Sequence, residues 1–186
     1  MRLFSLLVLI LFSFCGFAQY QFSTFVDDFG NIIQEKTHPD SSLKYIETFE
    51  IIKGIKLKIF EGRVDQNKQY QGWWRFFDSQ ENLLSVGLFK NNLKYGYWKF
   101  YHPNGELESH GFFVNDKKEG WWEFYNPEGM LVKKGHYKDN LEQGFWHFYK
   151  KGSINKEGFY TFGKPTKTWR FYNTEGELIR VEGFLD

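Results

Sequence analysis

Apolar and polar positions along most of this chain alternate with a period of two, and the alternation is punctuated on a 24-residue beat. The hexapeptide Gly-aromatic-Trp-x-Phe-aromatic occurs at residues 72–77, 96–101, 120–125 and 144–149. A fifth copy at residues 168–172 has Lys167 in place of the glycine. The tryptophans at 74, 98, 122, 146 and 169 are separated by 24, 24, 24 and 23 residues. Period-two runs rich in aromatics predict strands with one parity on each face. After each tryptophan strand comes a polar tetrad such as His102-Pro103-Asn104-Gly105 or Asn126-Pro127-Glu128-Gly129. Proline presets its own φ and glycine supplies the positive φ that closes a turn, so each repeat predicts a β-hairpin. Asn and Asp in residues 89–96, 113–120 and 137–144 predict short turns between successive hairpins. No 3.6-residue apolar period of useful length follows Gln19. The expected fold is all-β, an elongated array of about five or six antiparallel hairpins.

Strand alternation then sorts the faces. Gly96, Trp98 and Phe100 share one face of the first strand, and Leu107, Gly111 and Phe113 share one face of the second. These types recur in nearly every copy, with Gly183 standing for Gly111 in the last, and are assigned to the buried side. Their glycines are expected to let an indole lie flat on the backbone. On the opposite face the middle position runs Arg75, Lys99, Glu123, His147, Arg170, which reads as solvated because it accepts either charge. Two rows of rings flank it. Trp73, Tyr97, Trp121 and Phe145 form one, and Tyr101, Tyr125, Tyr149 and Tyr172 the other. These eight residues are the candidate partner-binding face. Stacked hairpins would repeat each row every ~10 Å, two strand spacings of ~4.8 Å. The competing reading is that the rings pack on one another and stiffen the sheet.

The ends differ from the repeats. Met1-Arg2, an apolar run from Leu3 to Phe14, and Gly16-Phe17-Ala18 before Gln19 read as a signal peptide over residues 1–18. The expected location is therefore periplasm, cell envelope or extracellular space. Residues 19–66 read as a degenerate N-terminal β cap and residues 67–186 as the repeats. Loss of residues 1–18 removes Arg2 and the lone Cys15, leaving 23 basic against 23 acidic side chains. A chain with no charge excess is a poor binder of nucleic acid or anionic lipid. Without cysteine it has no disulfide and no thiolate chemistry. Aromatics make up 22% of the residues, so the core must be built from rings.

Candidate chemistry is sparse. The five histidines are His38, His102, His110, His136 and His147, and none pairs with another at metal-ligand spacing. The carboxylates change from repeat to repeat, and an open meander offers no cleft to hold two of them across a scissile bond. There is no Gly-x-Ser-x-Gly elbow and no glycine-rich phosphate loop. The reading is a non-enzymatic protein with no cofactor and no metal.

Gly-x-Trp-x-Phe-Tyr, then Asn-x-x-Gly-x-Leu, then Gly-x-Tyr resembles the MORN-repeat variant found in proteins similar to the YwqK-type antitoxin of bacterial toxin–antitoxin modules. The resemblance covers roughly residues 57–186. It implies β-hairpin arrays that act in protein–protein contact, in some cases by neutralising a toxin; ordinary MORN repeats are also linked to membrane contact. An antitoxin against an intracellular toxin should stay in the cytosol, which the leader contradicts. The leading expectation is therefore an exported interaction or scaffold module whose partner is a protein. An antitoxin or immunity protein occluding a cognate toxin is one alternative, and a carbohydrate-binding module is the other.

Overall fold

The structure is a computed structural model and describes residues 20–38 and 41–184. The leader read at residues 1–18 and Cys15 lie outside the described residues. The described chain is all-β, with fourteen antiparallel strands and no helix. It divides into two compact units, one ending at Asn92 and the other starting at Leu93. The first holds β1 (Gln21–Val26), β2 (Ile32–Thr37), β3 (Lys44–Ile52), β4 (Ile55–Val64), β5 (Tyr70–Phe77) and β6 (Leu83–Lys90). The second holds β7 (Leu93–Tyr101), β8 (Leu107–Val114), β9 (Lys117–Tyr125), β10 (Leu131–Lys138), β11 (Leu141–Lys150), β12 (Ser153–Thr161), β13 (Lys164–Tyr172) and β14 (Leu178–Phe184). Within each unit every strand pairs with its neighbours in sequence. The expected hairpins are present, and residues 20–64 supply two more, β1–β2 and β3–β4.

Turn chemistry follows the sequence closely. Gly30, Gly105, Gly129 and Gly176 close their turns at φ between 75° and 86°. Between hairpins, Asn115-Asp116 and Asp139-Asn140 both have positive φ at each residue, the geometry of a two-residue turn matched to sheet twist. These turns also clasp the preceding repeat. The Asp116 and Asn140 amides donate to the carbonyls of Lys94 and Lys118, whose own amides donate back to Asp116 Oδ1 and Asn140 Oδ1 at 2.7 Å. The shortened spacing before Trp169 arises at Lys151-Gly152, a two-residue turn where the other repeats have a tetrad.

The core consists of indoles. Trp74, Trp98, Trp122 and Trp146 are fully buried and Trp169 nearly so. Each of Trp98, Trp122 and Trp146 sits opposite the glycine of its own hairpin, Gly111, Gly135 and Gly158. The next indole then covers that glycine. A Cβ on Gly111, Gly135 or Gly158 would lie 2.1–2.6 Å from ring atoms of Trp122, Trp146 or Trp169, and one on Gly62 would meet Trp74 at 2.2–2.6 Å. The indole Nε1 donates to the carbonyl after the covered glycine, for example Trp122 to Phe112 at 3.1 Å and Trp146 to His136 at 3.2 Å. Phe113, Tyr137 and Tyr160 stand edge-on between successive tryptophans, with centroids 5.1 Å from Trp122, Trp146 and Trp169. In the first unit Ile46 and Val64 join Trp74, and Tyr70 stacks on that indole at 3.7 Å.

Three face assignments are corrected. The first-strand glycines are not indole seats: nothing lies within 4 Å of a Cβ at Gly72, Gly120 or Gly144. They are needed because their φ is about 70°, at the places where strand register shifts between hairpins. Lys167 adopts the same conformation at φ 57 without glycine's freedom. Leu107 falls out of step with Gly111 and Phe113, because a bulge next to the turn brings it opposite Tyr101. Gly183 does not stand for Gly111 either. The last strand carries one extra residue between its leucine and glycine, so Glu182 lies opposite Trp169.

The glycine seats make a sharp stability test. Gly135→Ala should cost about 1–3 kcal/mol or more, because the methyl must displace the Trp146 ring. Gly183→Ala, which meets nothing, should stay within about 0.5 kcal/mol. Trp122→Ala should cost about 3–5 kcal/mol, and Trp121→Ala far less because that ring is 59% exposed. Urea denaturation midpoints decide this, and equal losses at the two glycines would refute the seat.

Candidate interaction surface

The side of the sheet away from the buried tryptophans carries all the side chains proposed from the sequence as a binding face. In the first unit Trp73 is 60% exposed and pairs with Leu88 across its hairpin. In the second unit the ring row is double. Tyr97 meets Phe112 at 5.2 Å, Trp121 meets His136 at 6.1 Å, and Phe145 meets Phe159 at 5.0 Å, each pair near-perpendicular. Each is a directly opposed cross-strand pair. Trp121 and Phe112 are more than half exposed, whereas Tyr97 and Phe145 are half-buried. Sequence reasoning missed Phe112, His136 and Phe159. The available signal was their place directly after the second-strand glycine, which alternation puts on the opposite face.

The tyrosine row is less free. Tyr101, Tyr125, Tyr149 and Tyr172 are half-buried. Tyr125 donates its hydroxyl to Glu123 and Tyr172 donates to Glu157, both at 2.7 Å. Burial, then the hydrogen bond to Glu123 and its charge, pushes the Tyr125 phenol up to about 12. It stays protonated at neutral pH and acts as a donor.

Between the two ring rows the charges are ordered, which the sequence did not reveal. Lys99, His110, Glu123, Lys134, His147, Glu157 and Arg170 follow one another across β7 to β13 by direct register. Each carboxylate in the row, Glu123 and Glu157, therefore lies between two basic side chains on adjoining strands. His110 is half-buried: its Nδ1 lies 2.5 Å from Tyr97 Oη and its Nε2 3.2 Å from Glu123 Oε2. Burial pushes the His147 imidazole down, against the nearby Glu157 carboxylate.

The first unit holds the most buried acid of this face. Glu61 is 6% exposed, hydrogen-bonded to Lys58 at 2.7 Å and ion-paired with Arg75 at 3.1 Å. Lys58 also bonds Glu47. Burial raises the Glu61 carboxyl, but the Lys58 and Tyr45 hydrogen bonds and the two cations outweigh it and hold it below the ordinary value. Tyr45 is pushed up to about 12, by burial first and then by Glu61. An open hollow of about 360 Å³ adjoins this cluster, lined by Phe22, Thr24, Gln34, Lys36, Tyr45 and Glu47 among others. Among the described residues no group of three or more His, Cys, Asp or Glu converges on a metal-sized site.

No protein-family model matches the chain, and no curated protein matches it. The surface therefore has to be read from its own geometry. It presents exposed rings beside a row in which each acid, Glu123 and Glu157, lies between two basic side chains.

Glu61 gives this face a pH signature. Its folded carboxyl is depressed, so its contribution is complete above the unfolded value near 4.5 and is lost as pH falls through the folded value. Glu61→Gln should cost about 1–3 kcal/mol at pH 7, as loss of hydrogen bonds to a charged group does. The melting-temperature gap between wild type and variant should begin to shrink as pH falls below the unfolded value near 4.5 and close as it passes through the depressed folded value. A gap that persists undiminished at pH 3 would show that charge is not the source.

Proposed function

We infer that the protein is an exported, non-enzymatic interaction module that binds another protein through the ring-and-charge face of its second unit. The observation that carries this reading is the set of three cross-strand ring pairs, with Trp121 and Phe112 more than half exposed. Exposed large aromatics set close together favour an interaction surface, and Trp and Tyr are the side chains that dominate interface energetics. The indoles that stabilise the sheet lie on its other side, so Trp121 is not needed for the core. The MORN-like resemblance supports the same reading, because it implies hairpin arrays that act in protein contact. A toxin or an envelope component is the kind of partner expected.

The test compares capture by wild type and by a Trp121→Ala/Phe112→Ala double variant, using the chain from residue 19 onward and an envelope fraction of the native cells. The expected result is one dominant protein held by wild type and lost at least tenfold by the variant, with both melting alike. A partner retained by the variant overturns the assignment of the face. Capture of glycan by wild type and not by the variant would transfer the surface to the carbohydrate-binding alternative.

A further inference from the structure

The tryptophan face of the second unit carries cations that its fold does not need. Strand register draws a single row across this face: Phe124, Lys133, Phe148, Lys156, Phe171 and Arg180, on β9 through β14 in order. Phenylalanine alternates with a cation on six consecutive strands. In the preceding hairpin the second-strand slot is the buried Ser109, opposite both Phe100 and Phe124, so a small neutral side chain suffices there.

Each cation lies over rings. Lys133 Nζ is 4.5 Å from the Phe124 centroid and 5.6 Å from that of Trp146. Lys156 Nζ is 4.4 Å from Phe148 and 5.7 Å from Trp169, and the Arg180 guanidinium is 3.9 Å from Phe171. Lys118 reaches the far side of the same row, 5.1 Å from Phe124. Among the described residues Lys118, Lys133 and Lys156 form no ion pair, while Arg180 is held by Glu182 at 2.8 Å. Burial, and then the charge of Lys133, pushes the Lys118 ammonium down against the opposing charges of Glu142 and Glu108. Lys118, Lys133 and Lys156 are half-buried positive charges with rings beneath them, Arg180 is the exposed end of the row, and an anion laid along the row would relieve the lysines.

The spacing selects the anion. Cations recur on every second strand, so about every 9.6 Å at a strand separation of ~4.8 Å. A β-strand laid along the row cannot match this: its same-side residues recur every ~6.7 Å. A polyproline-II segment turns once in three residues and advances ~9.3 Å per turn. Every third residue of such a segment therefore faces the row at the cation spacing, and prolines between them meet the phenylalanine rings, as in other aromatic-lined docking grooves.

We propose that this face docks an acidic polyproline-II segment of a partner protein, with Asp or Glu at every third residue set on Lys133, Lys156 and Arg180 and proline set on Phe124, Phe148 and Phe171. The proposal rests on the reading of the chain as a protein-binding module. It uses the opposite side of the sheet from the ring pairs, so the two can fail separately.

The test is fluorescence anisotropy with a labelled peptide of repeated Glu-Pro-Pro units, against a peptide of the same composition with irregularly spaced glutamates. The chain from residue 19 onward should bind the regular peptide saturably, and more weakly as salt rises. Affinity should fall at least tenfold for the irregular peptide and for Lys133→Ala/Lys156→Ala, and stay unchanged in Trp121→Ala. Should the alanine pair disturb folding, Lys133→Glu/Lys156→Glu offers a second route: it should lose the acidic peptide and gain a Lys-Pro-Pro peptide. Absence of binding to the regular peptide, or equal binding of the two acidic peptides, overturns the proposal. Tighter binding of polygalacturonate than of either peptide also overturns it and assigns the row to an acidic glycan.

Discussion

Everything in this protein depends on an indole lying flat on the glycine of the hairpin before it. A single sheet has no second layer to cover its apolar face. Here the rings themselves form that layer, each one reaching back across a strand boundary. Burying a tryptophan removes roughly 150–250 Å² from water, an upper bound of about 4–6 kcal/mol at ~25 cal/mol per Å². That gain is available only where the neighbouring strand has no side chain. In the second unit the step from glycine to the next tryptophan is 11 residues each time, at Gly111–Trp122, Gly135–Trp146 and Gly158–Trp169. The step from tryptophan to glycine within a hairpin shortens from 13 to 12 in the fourth copy. Length varies where a turn can absorb it and is fixed where the indole must find its seat.

The same contact changes at β14. Trp169 covers Gly158, but the slot opposite Trp169 holds Glu182, ion-paired with Arg180. A carboxylate in that slot denies a further indole its bare backbone. The first unit changes its chemistry in another way: Ile46 and Val64 replace rings beside Trp74, and β1 to β3 carry no tryptophan at all. Terminal repeats differ from internal ones because one side has a different neighbour to satisfy.

Once the rings and glycines have fixed the fold, the remaining positions are free to vary, and the two faces of the second unit use that freedom differently. One sets each carboxylate of its row, Glu123 and Glu157, between two basic side chains in the band between the ring rows. The other keeps Lys118, Lys133 and Lys156 over aromatic rings, with no ion pair among the described residues. The cation row is not required by the packing, since Ser109 fills the same slot as Lys133 one hairpin earlier.

The repeat, the hairpins, the turn residues and the burial of the five tryptophans were all legible in the sequence, because they follow from spacing and from residue types with one dominant conformational use. Glycine at a Pro-x-Gly turn and Asn-Asp between strands leave little choice of backbone. Which glycine does which task was not legible. Gly120 and Gly135 look alike in the repeat, yet one sits at positive φ in a bulge and the other is the floor beneath an indole. Bulges shift register by one or two residues, and alternation counted along a single strand cannot register a shift that exists only between two. The same limit hid Glu182 behind Gly183, the pairing of Phe112 with Tyr97, and both charge rows. The sequence by itself determined the strands and what they bury; the tertiary structure alone decided who faces whom across them, because cross-strand register is a property of the paired sheet.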